Sequence, residues 1–354
     1  MPNFDDLKLT VEALSGGKNT VLLDDMGMPS IMVRIPKFKI SEVITGGSDV
    51  THPAFIVDGV EKNEIYISKF QNIVMNSRAY SLPHKDPAVY TTFDQAKTYC
   101  ESKGAGWHLM TNSEWAALAL WCKKNGFMPR GNNNSGKDAS AAHEKGVVTY
   151  YSGTTPYRVA TGSGPASWAH DNTNDGIFDL NGNVWEWTGG FRLKNGELQV
   201  IPNNNAAMQI NQTDASTLWK AIMPDGSLVD PGTAGTLKFD YTGAPAAGTG
   251  SFHVTDTLVN QQPDDTAYGT KTFETITAKA GVNIPEILKV LGLFPVDASH
   301  GGDIFYFRNN GERLPLRGGN WNSGSGAGVF ALDLSVPRTH SPYRYVGFRS
   351  AFVL

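Results

Sequence analysis

The C-terminal part of the chain holds two motifs rich in glycine and aromatic residues, with an irregular segment between them. The motifs are Leu316-Arg-Gly-Gly-Asn-Trp321 and Val346-Gly-Phe-Arg-Ser350, and we call them the frame motifs. Glycine permits tight turns and large aromatic side chains favour burial, so both motifs are typical of rigid, packed structure. Residues 322–345 mix Ser, Asp, Val, Pro, Thr, His, Tyr and Arg without clear periodicity. A rigid frame around an irregular surface favours binding over catalysis.

Charge and hydropathy exclude several classes of partner. The formal charge of -4 and the pI of about 6.1 predict no basic surface, so nucleic acid is not an expected partner. No apolar run approaches the length of a membrane span, so no membrane insertion is expected. The start, Met1-Pro-Asn-Phe-Asp-Asp, lacks the basic and apolar parts of a secretory signal. We therefore expect a soluble cytoplasmic product that reaches the exterior only by lysis or dedicated export.

Two domains are predicted. Residues 1–60 contain short β-like runs broken by Gly and Pro, and we expect a small β segment used for assembly or attachment. The alternative is an extension that packs on the main domain, which is predicted to span 61–354. Residues from about 192 to 312 are weakly patterned, and we expect a folded insertion, because structureless loops of that length are uncommon in compact domains.

Local patterns in the main domain predict individual elements. Residues 64–70 alternate as a strand, and residues 92–101 place apolar side chains on one helical face. Thr111 and Glu114 have the spacing of a capping box, which predicts a second helix. Residues 284–291 predict a third helix, with its proline in the first turn.

A tryptophan-rich segment follows the turn signal Asn181-Gly182. Trp185 and Trp187 alternate onto one face of a predicted strand. We expect Gly318 and Gly319 to let the backbone of the first frame motif pass tightly against these two indoles, making a rigid platform.

The motifs, taken in order, resemble a known family. They are Ile67-Ser-Lys-Phe-Gln-Asn, Leu109-Met-Thr-Asn-Ser-Glu-Trp115, Gly182-Asn-Val-Trp-Glu-Trp187, Arg317-Gly-Gly-Asn-Trp321 and Gly347-Phe-Arg349. Together they resemble the formylglycine-generating-enzyme type of C-type lectin fold over roughly residues 61–190 and 313–354. The resemblance implies an α+β fold of that type, carrying the long insertion and the small N-terminal β segment.

The last segment also resembles the variable region of proteins diversified by retroelements, here about residues 321–345. In that family a reverse transcriptase randomises template adenines, and Asn codons ending in a pyrimidine are the usual targets. Such codons cannot become Lys, Glu, Gln, Met or Trp. None of these residue types occurs from Asn322 to Tyr345. The resemblance therefore implies a hypervariable ligand-binding face between the two frame motifs.

Catalysis is not expected. The enzymes that this chain resembles oxidise a cysteine with copper held by two thiolates near the C-terminal motif, and the chemistry needs the thiolate. Ser350 stands where they have cysteine, and Cys100 and Cys122 are the only cysteines. We expect these two to be buried apolar residues; one disulfide or a redox site is the alternative. The eight histidines show no ligand spacing, so an iron site is not expected either.

The predicted binding face follows from the residue types that make adaptable interfaces. Tyr gives large contact area at low entropic cost, Arg often anchors interfaces, and Ser and Asn supply flexible hydrogen bonds. The alternative is an ordinary surface loop over 333–345, and Phe330 is more typical of the frame, at the edge of the face. The predicted ligand-binding residues are Trp321, Asn322, Ser323, Ser325, Gly326, Phe330, Asp333, Ser335, Val336, Thr339, His340, Pro342, Tyr343, Arg344 and Tyr345.

No cofactor is expected beyond one candidate ion. Asn183 and Glu186 fall where the resemblance places a structural calcium, and oxygen ligands suit that ion. The alternative is that both side chains only form hydrogen bonds within the turn.

The sequence thus predicts a non-enzymatic protein that binds a variable protein or glycan ligand on a cell surface. A phage or prophage tail component, assembled as a homo-oligomer such as a trimer, is the first interpretation, because several weak sites gain avidity together. That interpretation places the protein in a virion. The alternatives are a bacterial surface-displayed binder, a lectin of fixed specificity, and a degenerate enzyme of the formylglycine-generating or sulfoxide-synthase type.

Overall fold

A computed structural model describes residues 4–340 and 343–354. The α-helices in these residues are α1 (Asp5–Leu14), α2 (Ile40–Val43), α3 (Phe93–Glu101), α4 (Asn112–Lys124) and α5 (Glu286–Val290). Single turns of 3-10 helix lie at Pro53–Phe55, Ala166–Trp168, Asn205–Met208, Phe273–Thr275 and Gly324–Gly326. No helix in the described part of the chain is long and apolar enough to cross a membrane.

Short strands dominate the rest of the chain. They are β1 (Asn19–Leu23), β2 (Pro29–Pro36), β3 (Ile56–Val57), β4 (Val60–Glu61), β5 (Glu64–Ser68), β6 (Ile73–Met75), β7 (Arg78–Tyr80), β8 (Trp107–Leu109), β9 (Tyr151–Ser152), β10 (Thr155–Pro156), β11 (Trp185–Trp187), β12 (Phe191–Lys194), β13 (Glu197–Val200), β14 (Lys220–Ile222), β15 (Leu228–Val229), β16 (Lys238–Tyr241), β17 (Gly248–Gly250), β18 (Phe252–Thr255), β19 (Ala267–Thr272), β20 (Ile304–Phe307), β21 (Glu312–Arg313), β22 (Leu316–Gly318), β23 (Gly328–Leu334), β24 (Val346–Phe348) and β25 (Ser350–Phe352).

Three larger sheets organise these strands. One has the order β1-β2-β5-β25-β8, so strands from both ends of the chain share it. A second has the order β17-β19-β20-β23-β22-β11-β24, and a third has the order β15-β14-β13-β12-β21, with β16 and β18 attached through β13. The sheet-rich architecture with few helices agrees with the expected α+β fold of the C-type lectin type.

The segment 1–60 shares a sheet with the main domain. β2 pairs antiparallel with β5 from Met32 opposite Ser68 to Pro36 opposite Glu64, so the backbone ladder crosses the expected boundary near residue 60. The expected insertion 192–312 contributes strands to two of the sheets and contains α5. Its core includes Phe239, Phe252 and Phe305, whose rings meet at centroid distances of 5.1 to 5.6 Å. The division into two domains, and an assembly role for 1–60, stay predictions.

Helix α4 shows how local sequence becomes buried structure. Thr111 accepts a hydrogen bond from the Glu114 backbone N–H (3.1 Å), and the Glu114 carboxylate accepts one from the Thr111 N–H (2.9 Å), which confirms the predicted capping box. The helix is buried on most of its surface because both of its sides face the core. Trp115 donates from Nε1 to the Val329 carbonyl oxygen (2.7 Å), so the helix holds β23 in place.

The other predicted helices are present with adjusted ends. α3 begins after Thr92, whose side chain caps it. α5 is shorter than expected, since Pro285 lies at its N-cap and Gly292 follows it with φ +60°. A residue in the left-handed region ends a helix, and glycine adopts it without strain.

Both frame motifs flank the tryptophan strand. β22, from the first motif, pairs antiparallel with β11, and β24, from the second, pairs parallel with it. Trp187 therefore lies opposite Leu316 on one side and Phe348 on the other. Gly318 makes a close approach, but to other groups than Trp185 and Trp187. A Cβ at Gly318 would meet the Leu180 carbonyl oxygen at 3.0 Å and the Trp115 ring at 3.2 Å.

This corrects the expected contact of the paired glycines with Trp185 and Trp187. The strand that contains the two tryptophans is a hydrogen-bonded neighbour of β22, and the tight contact above Gly318 comes from α4. Gly319 faces Ala327, whose Cβ would lie 2.6 Å from an added Cβ. With φ of +91° and +85°, both positions also favour glycine for backbone reasons.

We predict that Trp185→Ala lowers the free energy of unfolding by about 3–5 kcal/mol, because a large buried aromatic side chain is lost. Trp185 is 5% exposed and belongs to the cluster that includes Phe348 and Val346. Urea unfolding would measure the change, with the 57% exposed Tyr151→Ala as the control. Equal unfolding free energies for the Trp185 variant and the wild type would contradict the assignment.

A buried ion pair next to α4 predicts a pH dependence. His108 lies between the Gly106 carbonyl oxygen (3.0 Å from Nδ1) and the Glu114 carboxylate (2.9 Å from Nε2). Both neighbours accept hydrogen bonds, so both ring nitrogens are donors and the ring is cationic. Burial lowers the pKa of His108, but the Glu114 carboxylate outweighs burial and the pKa is raised. The pair therefore stabilises the fold fully below the unfolded pKa of about 6.5, and this contribution is lost as pH rises through the folded pKa.

We predict that His108→Gln destabilises the protein most between about pH 5 and 6.5, and progressively less at higher pH. Urea unfolding of the variant and the wild type from pH 5 to 9 measures this difference. The exposed His143→Gln is the control and should show no such trend. A loss of stability that is constant with pH would show that His108 is neutral in the folded state.

Candidate functional site

A row of six aromatic rings joins the predicted variable region to a distant loop. Successive ring centroids along it are 4.4, 4.9, 6.0, 4.8 and 6.0 Å apart. The first pair is stacked at an interplanar angle of 21° and the fourth at 14°. We call this set the aromatic row; in spatial order it is His340, Tyr343, Tyr345, Trp321, Tyr157 and Tyr150.

Two arginines hold the far end of the row. The Arg344 guanidinium lies 4.6 Å from the Tyr157 ring centroid, and that of Arg158 lies 4.3 Å from Tyr150, both within the range of cation–π attraction. Arg158 is fixed by Asp86, to which it donates at 2.7 and 3.0 Å. It also donates to the Arg344 carbonyl oxygen at 3.0 Å, so the two segments are tied through backbone as well as rings.

Trp321 is the fixed centre of the row. Its backbone N–H donates to the Asn183 carbonyl oxygen (3.2 Å), and its carbonyl oxygen accepts from the Ser135 N–H (2.7 Å). The side chain is 4% exposed, whereas Tyr343 is 39% exposed. The aromatic row therefore runs from the buried indole of Trp321 to the exposed ring of Tyr343. This is expected where aromatic side chains pack on the protein on one side and contact solvent on the other.

A shallow cleft of about 280 Å³ opens beside the centre of the row. Its aromatic lining comes from Tyr157, Trp321 and Tyr345, and its polar lining is formed by Ser135, Thr155, Asn322 and Arg344. Rings beside hydroxyl, amide and guanidinium groups can take both apolar contact and directed hydrogen bonds from one ligand.

Two titratable side chains in the row, Tyr345 and His340, carry no charge at neutral pH. Burial raises the pKa of Tyr345 to about 12, and burial lowers the pKa of His340 to about 4. Both groups are therefore neutral at pH 7, and the Arg344 guanidinium lines the cleft as a cation. Such a surface suits neutral polar ligands as well as exposed carboxylates.

The structure brings together six of the predicted ligand-binding residues and leaves others apart. The exposed or half-buried ones in the row and cleft are Asn322, His340, Tyr343, Arg344 and Tyr345, together with the buried Trp321. Thr339 is exposed beside them in sequence, and Ser323 and Gly326 are half-buried in the turn after Trp321. Pro342 lies outside the described residues.

Three further residues of the prediction lie elsewhere. Ser325 is exposed but lines a different cavity, of about 270 Å³, which also touches Asp138. Asp333 and Ser335 are half-buried and bind each other, with the Ser335 N–H donating to Asp333 Oδ1 at 2.7 Å. Burial raises the pKa of Asp333.

Phe330 and Val336 correct the predicted face. Phe330 is 1% exposed, and its ring packs against Phe273 (5.1 Å) and His300 (4.7 Å) in the core. Val336 is 6% exposed and belongs to the cluster around Trp187. A side chain buried in this way cannot contact a ligand without a rearrangement of the core, so both residues belong to the frame.

The sequence interpretation missed the partner loop. Tyr150, Tyr157, Ser135 and Thr155 complete the row and cleft, yet they lie well before the variable region. The closely spaced tyrosines after a Gly- and Asn-rich stretch were the available signal. Tyr157 contacts Trp321 and Tyr150 contacts Tyr157. The contact with Trp321 joins residues far apart in sequence, and periodicity carries no information on such pairs.

Asn183 and Glu186 are engaged by protein groups. Asn183 Oδ1 accepts from Val159 N–H (2.9 Å) and Asn132 Nδ2 (3.1 Å). Both Glu186 oxygens accept from Arg349, each at 2.6 Å, and Gln71 adds a bond of 3.0 Å. The carboxylate charge is therefore balanced and the amide oxygen is occupied, so these side chains do not fit the ligand set of a calcium ion. The contacts favour the structural alternative that the sequence left open.

The position expected to carry the enzyme cysteine is a buried serine. Ser350 Oγ lies 2.9 Å from Ser68 Oγ, and the Ser350 N–H donates to Asn72 Oδ1 at 2.6 Å. Cys100 and Cys122 are both free and buried, which supports their expected role as small apolar residues. Among the residues described, no group of three or more His, Cys, Asp or Glu side chains is placed to hold a metal ion.

Comparison with known proteins identifies the fold type. A model of the sulfatase-modifying factor enzyme 1-like domain (FGE-sulfatase) matches residues 10–212, more than half of the chain. It begins within the segment that was expected to be separate. No curated protein matches the chain. A similar solved structure is that of PvdO from Pseudomonas aeruginosa, 11% identical over 95% of this chain and 98% of that one, with a TM-score of 0.31.

We predict that a chelator leaves the melting temperature unchanged, because Arg349 already neutralises Glu186. A calcium ion present at 100 times its dissociation constant would add about 2.7 kcal/mol to the stability, which corresponds to a shift of several degrees. Calorimetry in EDTA and in excess calcium makes the comparison on the same protein. A melting temperature that rises with calcium would restore the predicted ion site.

Proposed function

Since the chain belongs to the sulfatase-modifying factor enzyme 1-like family, we propose that it uses this fold for ligand binding and displays a diversified face. The observation that carries the proposal is the aromatic row. Three of its six rings, His340, Tyr343 and Tyr345, come from the segment between the frame motifs, and Trp321 is the last residue of the first motif. That segment is where the sequence resembles a retroelement variable region.

The chemistry of the row supports recognition. Tyr, Trp and Arg dominate the energetics of interfaces, because they bury large areas at a small cost in side-chain entropy. Here Trp321 and Tyr157 are pre-organised by stacking, and Arg344 is held over Tyr157. A ligand meeting these groups orders little that is not already ordered, which favours affinity.

The separation of frame and face supports diversification. Val346 and Phe348 are fully buried in the strand beside β11, whereas Asn322, Ser325 and Tyr343 are exposed. Exposed positions tolerate exchange with small effects on stability, while changes in a packed core commonly cost more. The residue types from 322 to 345 all fit codons that end in a pyrimidine, as adenine-directed mutagenesis of Asn codons requires.

Ser350 supports a role without catalysis. Family enzymes, as the resemblance implies, use a cysteine thiolate at this position, and a serine hydroxyl is a poor copper ligand. The Ser350 hydroxyl pairs instead with Ser68 inside the central sheet. The proposal for this chain is therefore binding, in a family whose members include enzymes and non-enzymes.

The proposed setting is a phage or prophage tail. The ligand is then a protein or glycan on a cell surface, and the assembly a homo-oligomer such as a trimer, in which several weak sites act together. Residues 1–60 would provide the attachment. A bacterial surface-displayed binder is the alternative setting for the same face.

A lectin of fixed specificity is the second candidate, and the cleft favours it. Aromatic rings beside Asn, Ser and Thr side chains offer the apolar contact and hydrogen bonds that a sugar needs. A degenerate enzyme of the formylglycine-generating or sulfoxide-synthase type is a third, and stoichiometric copper or iron in the purified protein would favour it.

Deep sequencing of the source gene and its flanks tests the proposal. We expect substitutions confined to adenine positions of a nearby, near-identical repeat, concentrated in the codons of exposed residues such as Asn322 and Tyr343. The internal controls are the codons for the buried residues Phe330 and Val346 and the codons for Tyr150 and Tyr157. These codons should not vary. An invariant segment with no repeat nearby would reject diversification and leave the fixed lectin ahead.

A further inference from the structure

A second cavity shares no residue with the aromatic row. It lies between β2 and α4, has a volume of about 520 Å³, and we call it the β2–α4 cavity. Its rim is formed by residues 16–18 and 171–175, which are exposed or half-buried. A volume of this size falls within the roughly 300–1,000 Å³ that is typical of small-molecule sites.

The walls of the cavity are mainly apolar. Val33 and Leu118 are 3% and 2% exposed and form its inner surface, while Phe38 and Trp121 are half-buried and supply aromatic faces. Two aromatic walls favour a planar apolar ligand, because offset stacking and edge contacts add to the gain from burial.

His170 places one unpartnered donor in this apolar lining. Its Nδ1 accepts a hydrogen bond from the Ile177 N–H (2.8 Å), so the ring proton must be on Nε2. The side chain is 5% exposed and its ring lies 5.2 Å from that of Trp121. Among the described residues Nε2 forms no hydrogen bond to the protein, and it is not one of the fully buried polar atoms without a partner, so water can reach it from the cavity. Burial lowers the pKa of His170 to about 4, so the ring is neutral at pH 7.

A ligand that displaces this water loses affinity unless it offers an acceptor to the donor, so an acceptor is favoured over an apolar group at Nε2. Ordered water is the competing partner for Nε2. The donor lies beside the aromatic wall, so a planar ligand against Trp121 could direct an oxygen atom to it.

The rim carries both basic and acidic side chains, Glu64 and Asp175 among the latter. Lys18 lies 4.0 Å from Asp171, and Arg34 lies 3.3 Å from Glu12. Three acidic and two basic side chains line the cavity, which disfavours an anionic ligand, and the apolar walls favour a neutral ligand over a charged one.

We propose that the β2–α4 cavity binds a small, neutral, planar aromatic molecule that carries one hydrogen-bond acceptor. The ring system lies between Phe38 and Trp121, and the acceptor oxygen receives the proton of His170 Nε2. This site is independent of the proposed binding face and does not require that face to be diversified.

Binding of two matched probes to the full chain tests the proposal. 2-Acetylnaphthalene carries a carbonyl acceptor, and 2-ethylnaphthalene has nearly the same shape without one. We expect saturable binding of the acetyl probe at one site per chain, measured by calorimetry and by quenching of tryptophan fluorescence. The preference for the acetyl over the ethyl probe should be about three- to tenfold larger in the wild type than in His170→Phe, because that variant keeps a ring but lacks the donor.

Cavity variants locate the site. Val33→Phe should fill the cavity and weaken binding of the acetyl probe at least tenfold, and Trp121→Leu should weaken it by removing an aromatic wall. Leu9→Phe, at a position that is 68% exposed, and Tyr343→Ala, in the aromatic row, should leave binding unchanged. If Val33→Phe does not melt cooperatively, Trp121→Leu decides, since its side chain is only half-buried.

Three results would overturn the proposal. The first is no saturable binding of either probe to the wild type at millimolar concentration. The second is binding that survives both Val33→Phe and Trp121→Leu, which would place the probe elsewhere. The third is an equal probe preference in the wild type and in His170→Phe, which would assign Nε2 to water and reject the acceptor requirement.

Discussion

The ion pair between Glu186 and Arg349 is the contact on which the frame depends. Both side chains are almost fully buried, at 1% and 0% exposure, and the guanidinium binds both carboxylate oxygens. Arg349 also donates to the carbonyl oxygens of Ser68 and Phe178, each at 3.0 Å. The Arg349 side chain therefore links three segments. They are β11, which carries Glu186, the end of β5 at Ser68, and the loop at Phe178 that precedes the Asn181-Gly182 turn. A buried pair in this setting is costly to break, because removal of either partner leaves an uncompensated charge.

The aromatic row lies just outside this polar centre. Asn183, whose side chain joins the same network through Gln71, has its carbonyl oxygen bound by the Trp321 N–H. Trp185, one residue before Glu186, has its N–H bound by the Tyr345 carbonyl oxygen at 2.8 Å. The first and last residues of the segment 321–345 are thus fixed by backbone contacts to the turn and strand that carry the buried charge. The residues between them can differ in side chain without losing these two attachments.

Local signals were the part of the fold that the sequence could predict. The predicted capping box at Thr111 uses side chains within three residues of their targets, so spacing alone reveals it; the structure adds a second one at Thr92 that was not predicted. Long-range pairing was not accessible in the same way. Phe330 was placed at the edge of the face, but β23 lies between β20 and β22 and both of its surfaces are covered, so alternation cannot tell an inward from an outward side chain. Tyr157 meets Trp321 only through the tertiary fold, and it was missed for that reason. The frame motifs and the tryptophan strand β11 were recognisable, yet the position of β11 between the two motifs was not.

The position of β25 has a consequence for biosynthesis. This strand pairs with β5 on one side and β8 on the other, so one inner strand of the five-stranded sheet comes from residues 350–352. Until those residues have left the ribosome, β5 and β8 each expose an unpaired edge, and the Ser68 hydroxyl lacks its partner on Ser350. Closing contacts across 282 positions of sequence is slow, since the loop entropy is lost before the contacts form. The nascent chain therefore depends on protection from aggregation until residues 350–352 are available, and a product truncated before Ser350 has an open sheet.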